Sequence, residues 1–248
     1  MKIIEVKDYQ EMSQAAAEYI IKKINQSPNL TLGLATGGTP KGVYEHLIED
    51  HKRNGTSYAH VTSFNLDEYI GLSKEDHNSY YQYMYENLFK HININPSSTN
   101  IPSGVNSDLQ AECAEYERKI QQHGGIDLQL LGIGSNGHIG FNEPGTSFQS
   151  KTHVVDLAPS TREANARYFD NLEEVPTQAI TMGINTIVKS KEILLLVSGK
   201  AKQDAVVKLF NGDVSESFPA SILKEHQNTT VIVDEEALNG IKNVKIFQ

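Results

Sequence analysis

The sequence holds one cysteine, Cys113, and no tryptophan in 248 residues. A single thiol cannot close an internal disulfide, so nothing in the chain calls for an oxidising compartment. Long apolar runs are missing too: Ile193 to Val197 is a typical stretch, far short of the roughly 20 residues that a membrane span needs. Met1 to Gln10 lacks the apolar core and small-residue cleavage site of a secretory leader. Positive charge is scarce, with 22 Lys and Arg against 31 Asp and Glu and a formal net charge of −9. That balance excludes a general binder of nucleic acid or of anionic membrane, each of which needs a basic surface field. Internal repeats, low-complexity tracts and an interdomain linker are also absent. The expectation is a cytoplasmic protein of one domain, 1–248, with a small-molecule substrate and no nucleic-acid or membrane partner. The sequence leaves open whether it forms a homo-oligomer.

What is present is an alternation of short strands and amphipathic helices. Lys2–Val6 reads as a strand, and Asp8 with Glu11 three residues on reads as a helix N-cap and its capping-box partner. Met12, Ala16, Tyr19, Ile20 and Ile24 recur at helical period until Ser27-Pro28. Leu30–Ala35 is the next strand, with Pro40 expected in the first helical position after a Thr36–Pro40 turn. A helix follows at Val43, Tyr44, Leu47 and Ile48, then a strand at His60–Leu66 and an aromatic-faced helix from Tyr80 to Ile92. Ser107 is expected to cap a helix with Leu109, Cys113, Tyr116 and Ile120 inward. Strands at Asp127–Ile133, Glu192–Val197, Thr229–Asp234 and Val244–Phe247, with a helix at Ala201–Asn211, complete the pattern. The fold class is α/β, a Rossmann-like open, mostly parallel sheet with helices on both faces. Between Ser147 and Gln178 a strand (Thr152–Asp156) and a polar helix (Thr161–Phe169) are expected, and the stretch around 147–178 reads as a mobile lid.

In such sheets ligands bind beyond the carboxyl ends of the strands. Three segments there carry chemistry: Thr36–Pro40, Asn65–Tyr69 and Gly134–Gly145. Gly37-Gly38-Thr39 ahead of a helix suits a phosphate, because backbone N–H groups and the helix terminus favour an anion; a plain tight turn is the alternative. Asp67-Glu68 is either a solvated acidic pair or a general base set at a strand end. His138 lies among glycines five residues before Glu143, and a nearby carboxylate can fix its tautomer. Arg162, Arg167, Lys200 and Lys202 are cations following polar segments, and Cys113 reads as a core residue. Gly132–Gly137 matches the Gly-x-Gly-x-x-Gly pattern of nicotinamide enzymes, but the Phe141–Gly145 turn signals after it do not open a helix.

Leu34–Pro40, Phe64-Asn65-Leu66-Asp67-Glu68-Tyr69, Gly134–Pro144 and Thr161–Arg167 together resemble the glucosamine-6-phosphate deaminases along essentially the whole chain. The sister 6-phosphogluconolactonases usually carry Asp-Glu-Arg where this chain has Asp67-Glu68-Tyr69, and they lack the Phe-Asn-Glu-Pro run. The resemblance implies conversion of glucosamine 6-phosphate and water to fructose 6-phosphate and ammonia, with no cofactor and no metal. It implies Asp67 as the base at C2 and C1, His138 as the ring-opening acid/base, and Glu143 as its orienting partner. Gly37, Gly38, Thr39, Arg167 and Lys202 would bind the phosphate, with Lys202 taken in preference to Lys200. Two positions depart from the pattern: Asn136 stands where some members have aspartate, and His153 and Val155 stand where allosteric members have a basic pair for N-acetylglucosamine 6-phosphate. Rival readings are a 6-phosphogluconolactonase-like hydrolase and a non-catalytic sugar-phosphate sensor. Joint retention of Asp67, His138 and Glu143 argues against the sensor, which needs no proton relay.

Overall fold

The computed structural model describes residues 1–239, so the expected strand Val244–Phe247 lies outside the described residues. The chain begins with β1 (Lys2–Val6), α1 (Tyr9–Gln26), β2 (Leu30–Leu34), α2 (Lys41–Asn54), β3 (Val61–Asn65) and β4 (Asp67–Tyr69). It continues through α3 (Tyr80–Asn87), β5 (Thr99–Asn100), α4 (Leu109–Gln122), β6 (Leu128–Gly132), β7 (His153–Asp156) and α5 (Pro159–Asn165). The last elements are β8 (Gln178–Thr181), α6 (Ile184–Val188), β9 (Glu192–Val197), α7 (Gln203–Asn211), β10 (Thr229–Asp234) and α8 (Glu235–Leu238).

Seven strands pair in parallel in the order β1-β10-β9-β6-β2-β3-β5. Alternate side chains of a strand leave opposite faces, and here both faces are apolar. In β9, Ile193, Leu195 and Val197 join one core while Leu194 and Leu196 join the other. Met12, Ala16, Val43, Tyr44 and Met84 bring α1, α2 and α3 to the second core. Tyr116, Ile120, Ile187, Leu209 and Ala237 bring α4, α6, α7 and α8 to the first. Each fully buried Val, Leu, Ile or Met side chain among these contributes about 1.5–3 kcal/mol. β2 and β6 are neighbours, yet the chain leaves β2 toward β3 and leaves β6 toward β9. That reversal is the topological switch point, where the carboxyl ends of adjacent strands open a crevice.

A second sheet, β4-β8-β7, is antiparallel. β7 falls on the expected strand Thr152–Asp156, whereas β4 and β8, with three and four residues, are too short for alternation to register in sequence. Leu66 is the hinge between the sheets: its N–H donates to Leu34 O (3.0 Å), and its carbonyl accepts from Met182 N–H (2.7 Å). β7 is therefore fixed within the stretch expected as a lid, and Glu117 ties it further to α4 by accepting from the N–H and hydroxyl of Thr152.

The helix starts follow local chemistry. Asp8 accepts from the N–H groups of Gln10 and Glu11, while Glu11 returns a bond to Lys7 N–H, one residue ahead of the cap. Asp108, rather than Ser107, caps α4 through Ala111 N–H (2.9 Å); a carboxylate also complements the positive end of the helix. Pro40 is the residue before α2 rather than its first. The aromatic helix stops at Asn87, whose side chain takes the Tyr83 carbonyl, and continues only as a 3-10 turn at Phe89–His91. The expected helix Thr161–Phe169 is shifted: α5 starts at Pro159, where proline suits a first turn, and gives way to a 3-10 turn at Ala166–Tyr168. Likewise Lys200–Lys202 is a 3-10 turn before α7.

Candidate active site

A cleft of about 360 Å³ opens at the switch point. The loops after β2 and β6, the start of β4, the α5 segment and the turn before α7 all reach it. Gly37, Gly38, Thr39, Asp67, Asn136, His138, Arg167 and Lys202 line it. Glu143 stands behind His138 instead, bonded to Asn136 and Thr161. Lys200 does not line the cleft and is exposed.

Asp67 opens β4 as the chain crosses from one sheet to the other, so the residue is only 7% exposed. Burial first, and then the neighbouring Glu68 charge, pushes its pKa up to about 8. Glu68 has a different task. It accepts from the N–H groups of Tyr69, Tyr80 and Tyr81 (2.8, 2.9 and 3.0 Å) and so caps α3 together with Ser79. Burial raises Glu68 to about 7 against those three bonds, which favour its charge.

On the opposite wall, β6 ends in a turn and not in a helix: Gly134 N–H donates to His138 O, and Gly137 N–H to Gly134 O. This removes the context that a dinucleotide loop requires. A Cβ on Gly134 would lie 2.3 Å from the His138 ring, so only glycine lets the imidazole pack there. His138 Nδ1 meets Asn136 Oδ1 at 2.8 Å, Asn136 Nδ2 donates to Glu143 Oε2 at 2.6 Å, and Thr161 Oγ1 donates to Glu143 Oε1 at 2.6 Å. An ionised carboxylate only accepts. Glu143 therefore fixes the amide orientation of Asn136, whose Oδ1 must then face a proton on His138 Nδ1. Nε2 is left as the ring nitrogen able to accept. Burial opposes the Glu143 charge, but His138, Thr161 and Asn136 outweigh it and hold Glu143 at about 2. Downstream, Asn142 anchors the loop by donating to Ile139 O and Met182 O.

The cationic end faces the loop after β2. A Cβ on Gly38 would sit 3.9 Å from Arg167 Nη2. Burial, and then the Arg167 guanidinium, pushes the Lys202 pKa down, as expected for two cations that share one site. Lys202 rides on a turn held by Asp234, which accepts from Ser198 Oγ (2.5 Å) and Gly199 N–H (3.0 Å). Arg162 is not part of this end: its guanidinium donates to Leu172 O and Val175 O.

Sequence reasoning missed Thr161, Tyr80 and Asp234. Thr161 opens the Thr161–Arg167 motif, so a signal was present. Tyr80 and Asp234 look like ordinary helix-start and strand-end residues until the topology brings Tyr80 into the cleft lining and sets Asp234 under the turn that carries Lys202. Among the described residues, no group of three or more His, Cys, Asp or Glu could hold a metal ion, and no helix is long and apolar enough to cross a membrane.

Residues 7–232 match the family described as glucosamine-6-phosphate isomerases/6-phosphogluconolactonase. A glucosamine-6-phosphate deaminase of Halalkalibacterium halodurans is 61% identical over 241 residues, covering 97% of this chain and 98% of its own. Glucosamine-6-phosphate deaminase 1 of Bacillus subtilis is 54% identical over 237 residues, covering 96% and 98%. A solved structure described as a monomeric glucosamine-6-phosphate deaminase superposes with a TM-score of 0.95 at 53% identity, covering 97% of this chain and all (100%) of its own. A 6-phosphogluconolactonase of Thermotoga maritima shares the fold at a TM-score of 0.74 and 20% identity, covering 94% and 99%. With the switch-point cleft, its glycine loops and these matches along nearly its full length, the chain belongs to the glucosamine-6-phosphate isomerase/6-phosphogluconolactonase family.

Proposed function

We propose that this chain is a glucosamine-6-phosphate deaminase, converting glucosamine 6-phosphate and water to fructose 6-phosphate and ammonia. One observation carries the reading: a buried carboxyl at Asp67 and a relayed imidazole at His138 share a cleft with a cationic end formed by Arg167 and Lys202. The phosphate sits at the Gly37-Gly38-Thr39 loop between those two cations, which holds the distant C1 and C2 in register. His138 Nε2 carries a proton between O1 and O5 as the ring opens. Asp67, as the carboxylate, takes the C2 proton and returns it to C1. The amine carbon is thereby raised to an imine, which water hydrolyses to the ketone with release of ammonia. Glu143 acts through Asn136, stabilising the His138 tautomer with Nε2 free. The reading needs no cofactor.

The test is ammonia release from glucosamine 6-phosphate by the purified protein, with fructose 6-phosphate measured in the same reaction and Asp67→Asn alongside. Equimolar products that disappear in the variant are expected. Binding of the sugar phosphate without turnover by the parent protein would refute the reading. Arg167→Ala should raise KM at least tenfold, in keeping with loss of a charge-assisted bond to phosphate.

A further inference from the structure

The loop after β2 has a second set of partners on its protein side. Tyr44 of α2 donates from its hydroxyl to Ala35 O (2.5 Å), Tyr83 of α3 to Gly37 O (2.6 Å) and Tyr9 of α1 to Gly38 O (2.9 Å). Tyr9 Oη also accepts from Gly42 N–H (2.8 Å), bridging the loop to the first turn of α2. Three phenols from three helices thus grip three carbonyls of one short turn.

The geometry has a directional consequence. In a trans peptide the carbonyl and the following N–H point opposite ways. Holding Ala35 O, Gly37 O and Gly38 O against the helices turns the N–H groups of Thr36, Gly38 and Thr39 away from them. Among the described residues those three N–H groups have no acceptor within the protein. Gly37 has φ +99°, which a residue with a side chain rarely adopts. The same freedom lets the Gly37–Gly38 peptide rotate, and a rotated peptide would present a carbonyl oxygen to an anion.

We propose that Tyr83 and Tyr9 are positioning residues for phosphate recognition: their hydroxyls lock the loop peptides in the donor-outward orientation. The inference rests on reading Gly37–Thr39 as the phosphate site. Neither hydroxyl takes part in proton transfer, so their loss should weaken binding and leave the chemical step alone. Tyr44 does the same for the first peptide, but it is fully buried, and its removal would confound binding with folding. Tyr9 and Tyr83 are only partly buried and sit on different helices, so either variant alone serves if the other does not fold.

The experiment compares Tyr83→Phe, Tyr9→Phe and a control, Tyr19→Phe, which loses a hydroxyl bond to Glu192 away from the cleft. For each, kcat and KM with glucosamine 6-phosphate, the Kd of inorganic phosphate by calorimetry, and the melting temperature are measured. The two loop variants should raise KM and phosphate Kd about five- to tenfold each, the loss expected for one well-made hydrogen bond, with kcat within about twofold. The control should change neither constant. Folded loop variants that bind phosphate like the parent overturn the proposal, as does a fall in kcat at constant KM or a parent protein that does not bind phosphate. If the parent binds phosphate, the variants weaken it and no ammonia forms, the loop assignment stands and the deaminase reading fails. Normal turnover with unaltered phosphate binding in the variants removes the loop assignment and keeps the deaminase reading.

Discussion

Asp67, which lines the cleft, and Glu143, which stands behind His138, show how two carboxyls are driven apart. Asp67 is raised to about 8 and Glu143 is lowered to about 2, so at neutral pH one is largely protonated and the other is an anion. A base must be ionised to work, and kcat/KM should therefore climb with pH toward a limb near 8; a profile already flat from pH 6 would remove Asp67 as the base. The stability consequence has a definite sign. From its ordinary value of 3.8 up to about 8, the unfolded chain releases the Asp67 proton while the folded chain keeps it, so stability falls across that window. Asp67→Asn removes the penalty and, at on the order of 2 kcal/mol, should raise the melting temperature roughly 4–8 °C at pH 8, with little gain at pH 4. Equal melting at pH 8 would count against the burial assigned to this group. Glu143 works the other way. Its side chain is 23% exposed, and its stabilisation, at most about 3 kcal/mol, is present above its ordinary 4.5 and lost as pH falls toward 2. The urea midpoint of Glu143→Gln should lie below that of the parent at pH 6, and the gap should narrow at pH 3. Glycine loops, His138 and the carboxylates were legible because their residue types stand out locally. The role of Glu68 was not, since its partners Tyr80 and Tyr81 reach it only once α3 folds back from 12 and 13 residues away.

At the scale of elements, the long, strongly patterned strands and helices were readable, and of the short strands in the second sheet β7 was, as Thr152–Asp156, while β4 and β8 were not. β9 and β10 sit between two apolar layers, and their apolar runs, Ile193–Val197 and Val231–Val233, announce that position. β4 and β8 owe their conformation to pairing across the second sheet, which no local pattern encodes. Their sheet also narrows the proposed lid. β7 is anchored by its pairing with β8 and through Glu117, whereas α5 and the turn after it belong to neither sheet and, among the described residues, are tied by the Arg162 bonds to Leu172 and Val175, Thr161 on Glu143, and Phe169 against Tyr69. Arg167 rides on that turn, so a bound phosphate should draw the 159–175 stretch onto the cleft. Limited proteolysis should cut there in the free protein and be slowed at least severalfold by saturating inorganic phosphate or a substrate analogue. Equal cutting rates with and without ligand would leave the stretch as a fixed wall.

The whole molecule carries a net charge of −9 yet brings Arg167 and Lys202 into one cleft, so in the proposed reading local donors and not the overall field select the anion. The same global view bears on assembly. A permanent homodimer hides a broad apolar face, but the large hydrophobics exposed among the described residues are Met1, Tyr85, Val105, Tyr168 and Leu172. Two of these, Tyr168 and Leu172, belong to the stretch proposed to move. His153 and Val155 both lie on β7, and His153 Nδ1 is spent on Lys151 O, so this strand offers no cationic pair to an anionic effector. We therefore expect a monomer with a single independent site. Light scattering after gel filtration should give a mass near 27.5 kDa, and velocity against glucosamine 6-phosphate should be hyperbolic, unchanged in shape by N-acetylglucosamine 6-phosphate. A sigmoidal curve that the effector straightens would require a second site and, by reciprocity of coupling, two global states. An oligomeric mass with hyperbolic kinetics would instead point to an interface outside the surface described here.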